Sequence, residues 1–111
     1  MNGFHDREKA FEAKYLHDEE LAFKINIKRN RLFAAWAANI LGHEGQNAAD
    51  YIDKIILIDL QNKKGETVLQ SVIIHLKEVK VDMSEHRIQQ EYEKCHELAH
   101  KTIMEKKEGQ S

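Results

Sequence analysis

The sequence contains no proline, one cysteine and only five glycines among its 111 residues. Without proline, few positions force a break in a helix. A single cysteine excludes an intrachain disulfide and favours a reducing, intracellular compartment. The longest uncharged stretch, residues 32–42, is far shorter than the roughly 20 residues that a transmembrane helix needs. These absences predict a soluble cytoplasmic protein with no direct membrane insertion.

The composition also argues against several classes of function. The net charge is −2 at pH 7 and the pI is about 6.4, so no global positive charge attracts nucleic acid or an anionic membrane. Neither a GxGxxG nor a GxxxxGK[ST] motif occurs, which leaves no phosphate-binding loop to assign. We therefore expect one domain, no nucleic-acid partner, no cofactor and no catalytic activity.

The hydrophobic spacing that is present predicts four helices. The first packed helix covers about residues 21–41, ends at Gly42 and follows a charged helical extension. The second begins at an Asn47 N-cap, and its IILIDL run is assigned to helix because no second strand exists to pair with it. Ser84 caps the fourth. The predicted buried positions of the first packed helix are Leu21, Ile25, Leu32, Trp36 and Ile40, with Phe33 and Ala37 beside them. Those of the fourth helix are Ile88, Tyr92, Cys95, Ala99 and Ile103.

Together these segments predict an all-α protein, a four-helix bundle with an extended, partly mobile N-terminal helical arm. The expected divisions are an arm at residues 1–20, a helical bundle domain at 21–105 and a frayed tail at 106–111. The segment at 62–65 is expected to be a loop. Cys95 is expected to be a small core residue rather than a nucleophile.

Residues 95–100 read CHELAH and contain the HExxH spacing of zinc peptidases. On a helix, His96 and His100 would share one side, with Glu97 as a potential base. The helical wheel places them at the edge of the apolar stripe or outside it, and a third ligand and a shielded position are both missing. We therefore predict no metal site, and at most adventitious surface binding by His96 and His100.

A cluster of basic residues follows the arm, formed by Lys24, Lys28, Arg29 and Arg31. An ordinary solvated helix face explains such a cluster. The alternative is a small helical adaptor without inhibitory activity, which would use these residues to contact a phosphate, weakly bind an adenine nucleotide or bind an acidic partner.

The N-terminal segment is amphipathic, with a thin aromatic edge formed by Phe4, Phe11 and Tyr15. Such a segment is typical of a helix that becomes ordered against a partner groove. A mainly acidic segment precedes the basic cluster and consists of His17-Asp18-Glu19-Glu20. The alternative, which involves no partner, is a frayed, solvated helix.

The stretch DREKAFEAKYLHDEELAFK, residues 6–24, closely resembles the N-terminal signature of the zeta subunit family, the ATPase inhibitors of alphaproteobacterial F-type ATP synthases. Weaker similarity continues to about residue 90, and none is assigned to CHELAH. The later matching positions are Arg29-Asn30-x-Leu32, Trp36-Ala37-Ala38, Leu41-Gly42, Tyr51, Gly65 and Ser84-Glu85-His86-x-Ile88. Residues 62–64 and the isoleucine-rich second helix depart from the family pattern.

The resemblance implies a regulatory inhibitor that blocks ATP hydrolysis, by analogy with the mitochondrial inhibitor. Its arm would insert between catalytic and noncatalytic subunits near the rotor, and the rest of the bundle would act as an anchor. It would be cytoplasmic and peripheral to the inner membrane through the ATP synthase. The resemblance implies Asp6 to Lys14 as the inserted part and His17 to Glu20 as its continuation, and the aromatic edge adds Phe4 and Tyr15. The residues predicted to bind the partner are Phe4, Asp6, Arg7, Glu8, Lys9, Phe11, Glu12, Lys14, Tyr15, His17, Asp18, Glu19 and Glu20.

Overall fold

The computed structural model describes the backbone of residues 3–61 and 67–109, and the side chains of residues 18–61 and 67–106. These parts of the chain form four helices and no strand: α1 (Gly3–Ile40), α2 (Gly45–Leu60), α3 (Val68–Glu78) and α4 (Glu85–Gly109). The predicted all-α four-helix bundle is confirmed, and the IILIDL run is helical. The loop predicted at 62–65 lies outside the described residues. None of the helices in the described ranges is long and apolar enough to cross a membrane.

α1 is one uninterrupted helix of 38 residues. Neither glycine nor proline occurs between residues 4 and 41, so nothing in the sequence breaks it. It ends as predicted at Gly42, which adopts a φ of 82°. The His43 N–H donates to the Ala38 carbonyl at 2.9 Å and the Gly42 N–H to the Asn39 carbonyl at 3.1 Å. These two bonds form a Schellman motif, which needs a left-handed residue at its centre.

The predicted N-cap of α2 was wrong. Glu44, not Asn47, occupies the extended N-cap position, and the Asn47 N–H donates to the Glu44 carbonyl at 3.1 Å, inside the first turn. Gly45 has a φ of 54°, a conformation that glycine adopts at little cost. The chain therefore turns into the helix two residues before the asparagine that could have capped it.

Side-chain caps start the other two helices. The Ser84 hydroxyl accepts the Arg87 N–H at 3.1 Å, which confirms Ser84 as the cap of α4. Thr67 and Gln70 form a reciprocal capping box at the start of α3. Each cap satisfies N–H groups that have no partner within the first turn of a helix.

α1 is the central packing element and lies mainly against α4 and α2. The Phe33 and Tyr92 rings are 5.1 Å apart, and Arg29, four residues before Phe33, contacts His96, four residues after Tyr92. Residue numbers fall on α1 as they rise on α4, so these helices are antiparallel. The buried apolar residues that form the core are Ile25, Phe33, Ala34, Ala37, Ala38, Tyr51, Ile55, Ile56, Val68, Val72, Leu76, Ile88, Cys95 and Ala99.

The buried face of α1 is displaced from the predicted stripe. Phe33, Ala34 and Ala37 are completely buried, whereas Leu32 and Trp36 are only partly buried. Because α1 packs between two neighbouring helices, its buried face is broad and the alanines lie in its centre. Leu32 and Trp36 lie at the edge of this face, and the prediction that they formed its centre was wrong.

The buried face of α4 agrees with prediction. Ile88, Cys95 and Ala99 are buried, and Tyr92 and Ile103 are partly buried. The α4 backbone is helical as far as Gly109. The predicted fraying of residues 106–111 and the predicted domain boundaries stay predictions.

Candidate functional site

In the described part of α1, residues 18–24 come before the first buried residue. Asp18, Glu19 and Glu20 are exposed, and Phe23 keeps 58% of its surface in contact with solvent. The first buried side chain in the described part of α1 is Ile25, with 6% exposure. Residues 18–24 thus contribute little to the core and are available to a partner. The other predicted arm side chains lie outside the described ones: Phe4, Asp6, Arg7, Glu8, Lys9, Phe11, Glu12, Lys14, Tyr15 and His17.

The four residues of the basic cluster do not share one face. Lys24 and Arg31 are exposed and Lys28 is partly exposed. Spacings of three and four residues place these three cations along one side of the helix. Arg29 follows Lys28 by one residue, about 100° further around the helix axis. An adaptor function through this cluster would therefore rest on three cations rather than four.

Arg29 instead bridges α1 and α4. Its guanidinium lies 4.6 Å from the centre of the Tyr92 ring, a cation–π contact. Its Nε donates to Asn30 Oδ1 at 3.1 Å and its Nη1 to Asn26 Oδ1 at 3.2 Å. Nη1 also lies 3.3 Å from His96 Nδ1. Asn30 is completely buried, and its Nδ2 has no partner among the described residues. Arg29 is thus held in place as part of the packing between the two helices.

This contact bears directly on the HExxH motif. A guanidinium can only donate hydrogen bonds, so in this contact His96 Nδ1 is the acceptor. A cation would therefore bind next to the fixed positive charge of Arg29. His96, Glu97 and His100 are exposed, as predicted, and His96 and Glu97 line a shallow cleft of about 390 Å³. The described residues contain no group of three side chains placed to hold a metal ion.

Cys95 precedes this motif and is buried. Burial raises the pKa of its thiol to about 11, with Glu91 contributing in the same direction and Lys94 opposing. A thiol with this pKa is almost entirely protonated at neutral pH, and only the thiolate is a good nucleophile. Cys95 is thus a packing residue, in agreement with the prediction.

A comparison with known protein families identifies the chain. A family model described as ATPase inhibitor subunit zeta matches residues 1–102. The chain belongs to the ATPase inhibitor subunit zeta family. No curated protein and no solved structure matches it significantly.

The family match extends further than the resemblance in the sequence, which ended near residue 90. It reaches residue 102 and so includes the CHELAH segment of α4. The zeta family consists of regulatory inhibitors rather than catalysts, and membership implies association with the F-type ATP synthase. The HExxH spacing in this zeta subunit is part of a helix whose inward side packs on α1.

Sequence reasoning missed two contacts of this zeta subunit that join distant parts of the chain. Arg29 and His96 are 67 residues apart, and Tyr51 and His75 are 24 apart. The Asn26-x-x-Arg29 spacing was a usable signal for Arg29, because an asparagine side chain one turn away can orient a guanidinium. No local pattern predicts the Tyr51–His75 contact.

Proposed function

We propose that the chain inhibits ATP hydrolysis by the F-type ATP synthase and that residues 1–20 carry the inhibition. The arm would insert between a catalytic and a noncatalytic subunit near the rotor. Residues 21–105 would act as the anchor, and the assembly would hold the chain beside the inner membrane. The observation that carries this proposal is the exposure of α1 from Asp18 to Lys24, apart from the partly buried Leu21, before Ile25, the first buried residue among the described side chains of the helix.

The arm needs no chemistry of its own. A rotary cycle stops when a ligand binds one conformation of an interface more tightly than the others, because leaving that conformation then costs the difference in binding free energy. A helix suits this role, since its backbone hydrogen bonds are already satisfied internally and only side chains contact the groove.

Continuity of α1 supports a mechanical connection between arm and anchor. The helix runs from Gly3 to Ile40, about 57 Å at a rise of 1.5 Å per residue. A rigid connection would let the packed half of α1 resist rotation of the inserted half. The acidic residues Asp18 to Glu20, followed by exposed Lys24, would give the partner surface a charge pattern to recognise.

Removal of residues 1–20 tests the proposal. Among the described side chains, every buried residue lies beyond residue 20, so the shortened chain should keep its helical circular dichroism and cooperative melting. Its inhibition of the cognate ATPase should be lost. Deletion of residues 107–111, at the opposite end of the chain, is the matched control and should leave inhibition unchanged. Equal inhibition by the full-length and arm-deleted chains would refute the arm mechanism, and no inhibition by either would refute the function.

A further inference from the structure

Three aromatic side chains from separate parts of the chain meet where α2 packs on α3. Tyr51 of α2 is buried, with 8% exposure. Its hydroxyl lies 3.0 Å from Nδ1 of His75 on α3, and the two rings meet edge to face at 5.6 Å. The ring of His43, from the turn between α1 and α2, lies 5.4 Å from the Tyr51 ring. One tyrosine thus connects two titratable side chains.

The hydrogen bond depends on the charge of His75. Neutral His75 can accept the Tyr51 proton at Nδ1, whereas protonated His75 carries hydrogen on both ring nitrogens and can only donate. The Tyr51 hydroxyl would then have to turn and find another acceptor. It cannot release its proton instead, because burial raises the pKa of Tyr51 to about 12. Protonation of His75 therefore removes an acceptor from a buried donor.

The surroundings of His75 also oppose its positive charge. Burial is the largest influence and lowers the pKa of His75, because a charged ring loses solvation there. Lys54 on α2 lowers it further, and Glu78 on α3 acts in the opposite direction. His43 contacts the same Tyr51 ring from the turn between α1 and α2.

We propose that His43, Tyr51 and His75 form a pH-sensitive clasp, which holds α3 on α2 while His75 is neutral and loosens it when His75 is protonated. The pKa of His75 is lower in the folded protein than its ordinary value of 6.5. The stabilisation is therefore complete above pH 6.5 and is lost as the pH falls toward the folded pKa. One proton changes an opening equilibrium by at most about tenfold per pH unit in this window.

Amide hydrogen exchange of the full chain tests the clasp. Protection factors of α3 amides, corrected for intrinsic exchange, are measured at pH 7.5 and 5.5. We expect wild-type α3 to lose protection at pH 5.5, His75→Gln to remove most of that loss, and His100→Gln to retain it. His100 is exposed on α4 and is the matched control. Tyr51→Phe keeps the ring but lacks the hydroxyl, so its α3 should already exchange faster at pH 7.5.

Two results would overturn the clasp. The first is an unchanged pH dependence of α3 protection in His75→Gln. The second, which needs no variant and so does not depend on a substituted chain folding, is an NMR titration in which the wild-type His75 ring protonates at or above the pH midpoint of His100. Both measurements use the isolated chain and no ATPase, so their results do not depend on whether the chain inhibits ATP hydrolysis.

Discussion

Replacement of Phe33 by alanine should cost more stability than any other single truncation on α1. Phe33 is completely buried. Its ring stacks on Trp36 at 5.6 Å and meets Tyr92 edge to face at 5.1 Å. Loss of a buried phenylalanine removes its transfer free energy and leaves a cavity, together about 3–5 kcal/mol. A domain of this size is typically stable by about 5–15 kcal/mol, so Phe33→Ala should remove a large share of the total.

Phe23 is the matched control, because it is the same residue type on the same helix. It keeps 58% of its surface exposed, so its truncation leaves no enclosed cavity. The lost burial is worth less than about 1 kcal/mol, and alanine recovers about 0.5 kcal/mol through its higher helix propensity. Phe23→Ala should therefore change the free energy of unfolding by about 0.5 kcal/mol or less.

Urea denaturation followed by circular dichroism at 222 nm measures both variants. The midpoint should fall sharply for Phe33→Ala and hardly at all for Phe23→Ala, with similar slopes. Equal losses in the two variants, or a loss below about 1 kcal/mol for Phe33→Ala, would contradict the assignment of Phe33 to the core and of Phe23 to the surface.

Three further changes test local features of the structure. Lys80, after α3, has a φ of 58°, a conformation in which a non-glycine residue is strained. Lys80→Gly should therefore raise the free energy of unfolding by about 0.5–1 kcal/mol in urea denaturation. The control, Lys77→Gly inside the helix, should lower it by about 1 kcal/mol. Ser84→Ala removes the cap of α4 and should cost about 1 kcal/mol in urea denaturation. Cys95 should react with a thiol reagent at pH 8 far more slowly in the folded protein than in urea, because burial raises its pKa to about 11; equal rates would show that the thiol is accessible.

The ends of the helices were largely predictable because local chemistry sets them. Gly42 and Ser84 act through backbone conformation and a single hydroxyl, and both need only a few neighbouring residues. Asn47 shows the limit of this reasoning. It was an acceptable cap, but the preceding Gly45 gave the chain an earlier point at which to turn. When two local signals compete, the sequence does not rank them.

The packing of α1 was less predictable because it depends on its partners. A helical wheel identifies one apolar side and weights it by residue size, which favoured Leu32 and Trp36. A helix lying between two others buries a wider face, and small residues such as Ala34 and Ala37 fill its centre. The role of Arg29 was missed for a related reason. Its charge suggested a solvated surface, whereas its long side chain reaches Tyr92 on α4.

Because α1 contains the proposed arm and also the first helix of the proposed anchor, their contributions to inhibition can be separated experimentally. Phe33→Ala weakens the anchor and leaves residues 1–20 unchanged, whereas the arm deletion does the opposite. If inhibition requires only that the arm reaches and binds its groove, Phe33→Ala should inhibit normally at temperatures at which the variant stays folded. If the packed half of α1 must resist rotation, inhibition should weaken before the variant unfolds. The continuity of α1 favours the second outcome, since a helix without a break can transmit torque to whatever holds its far end.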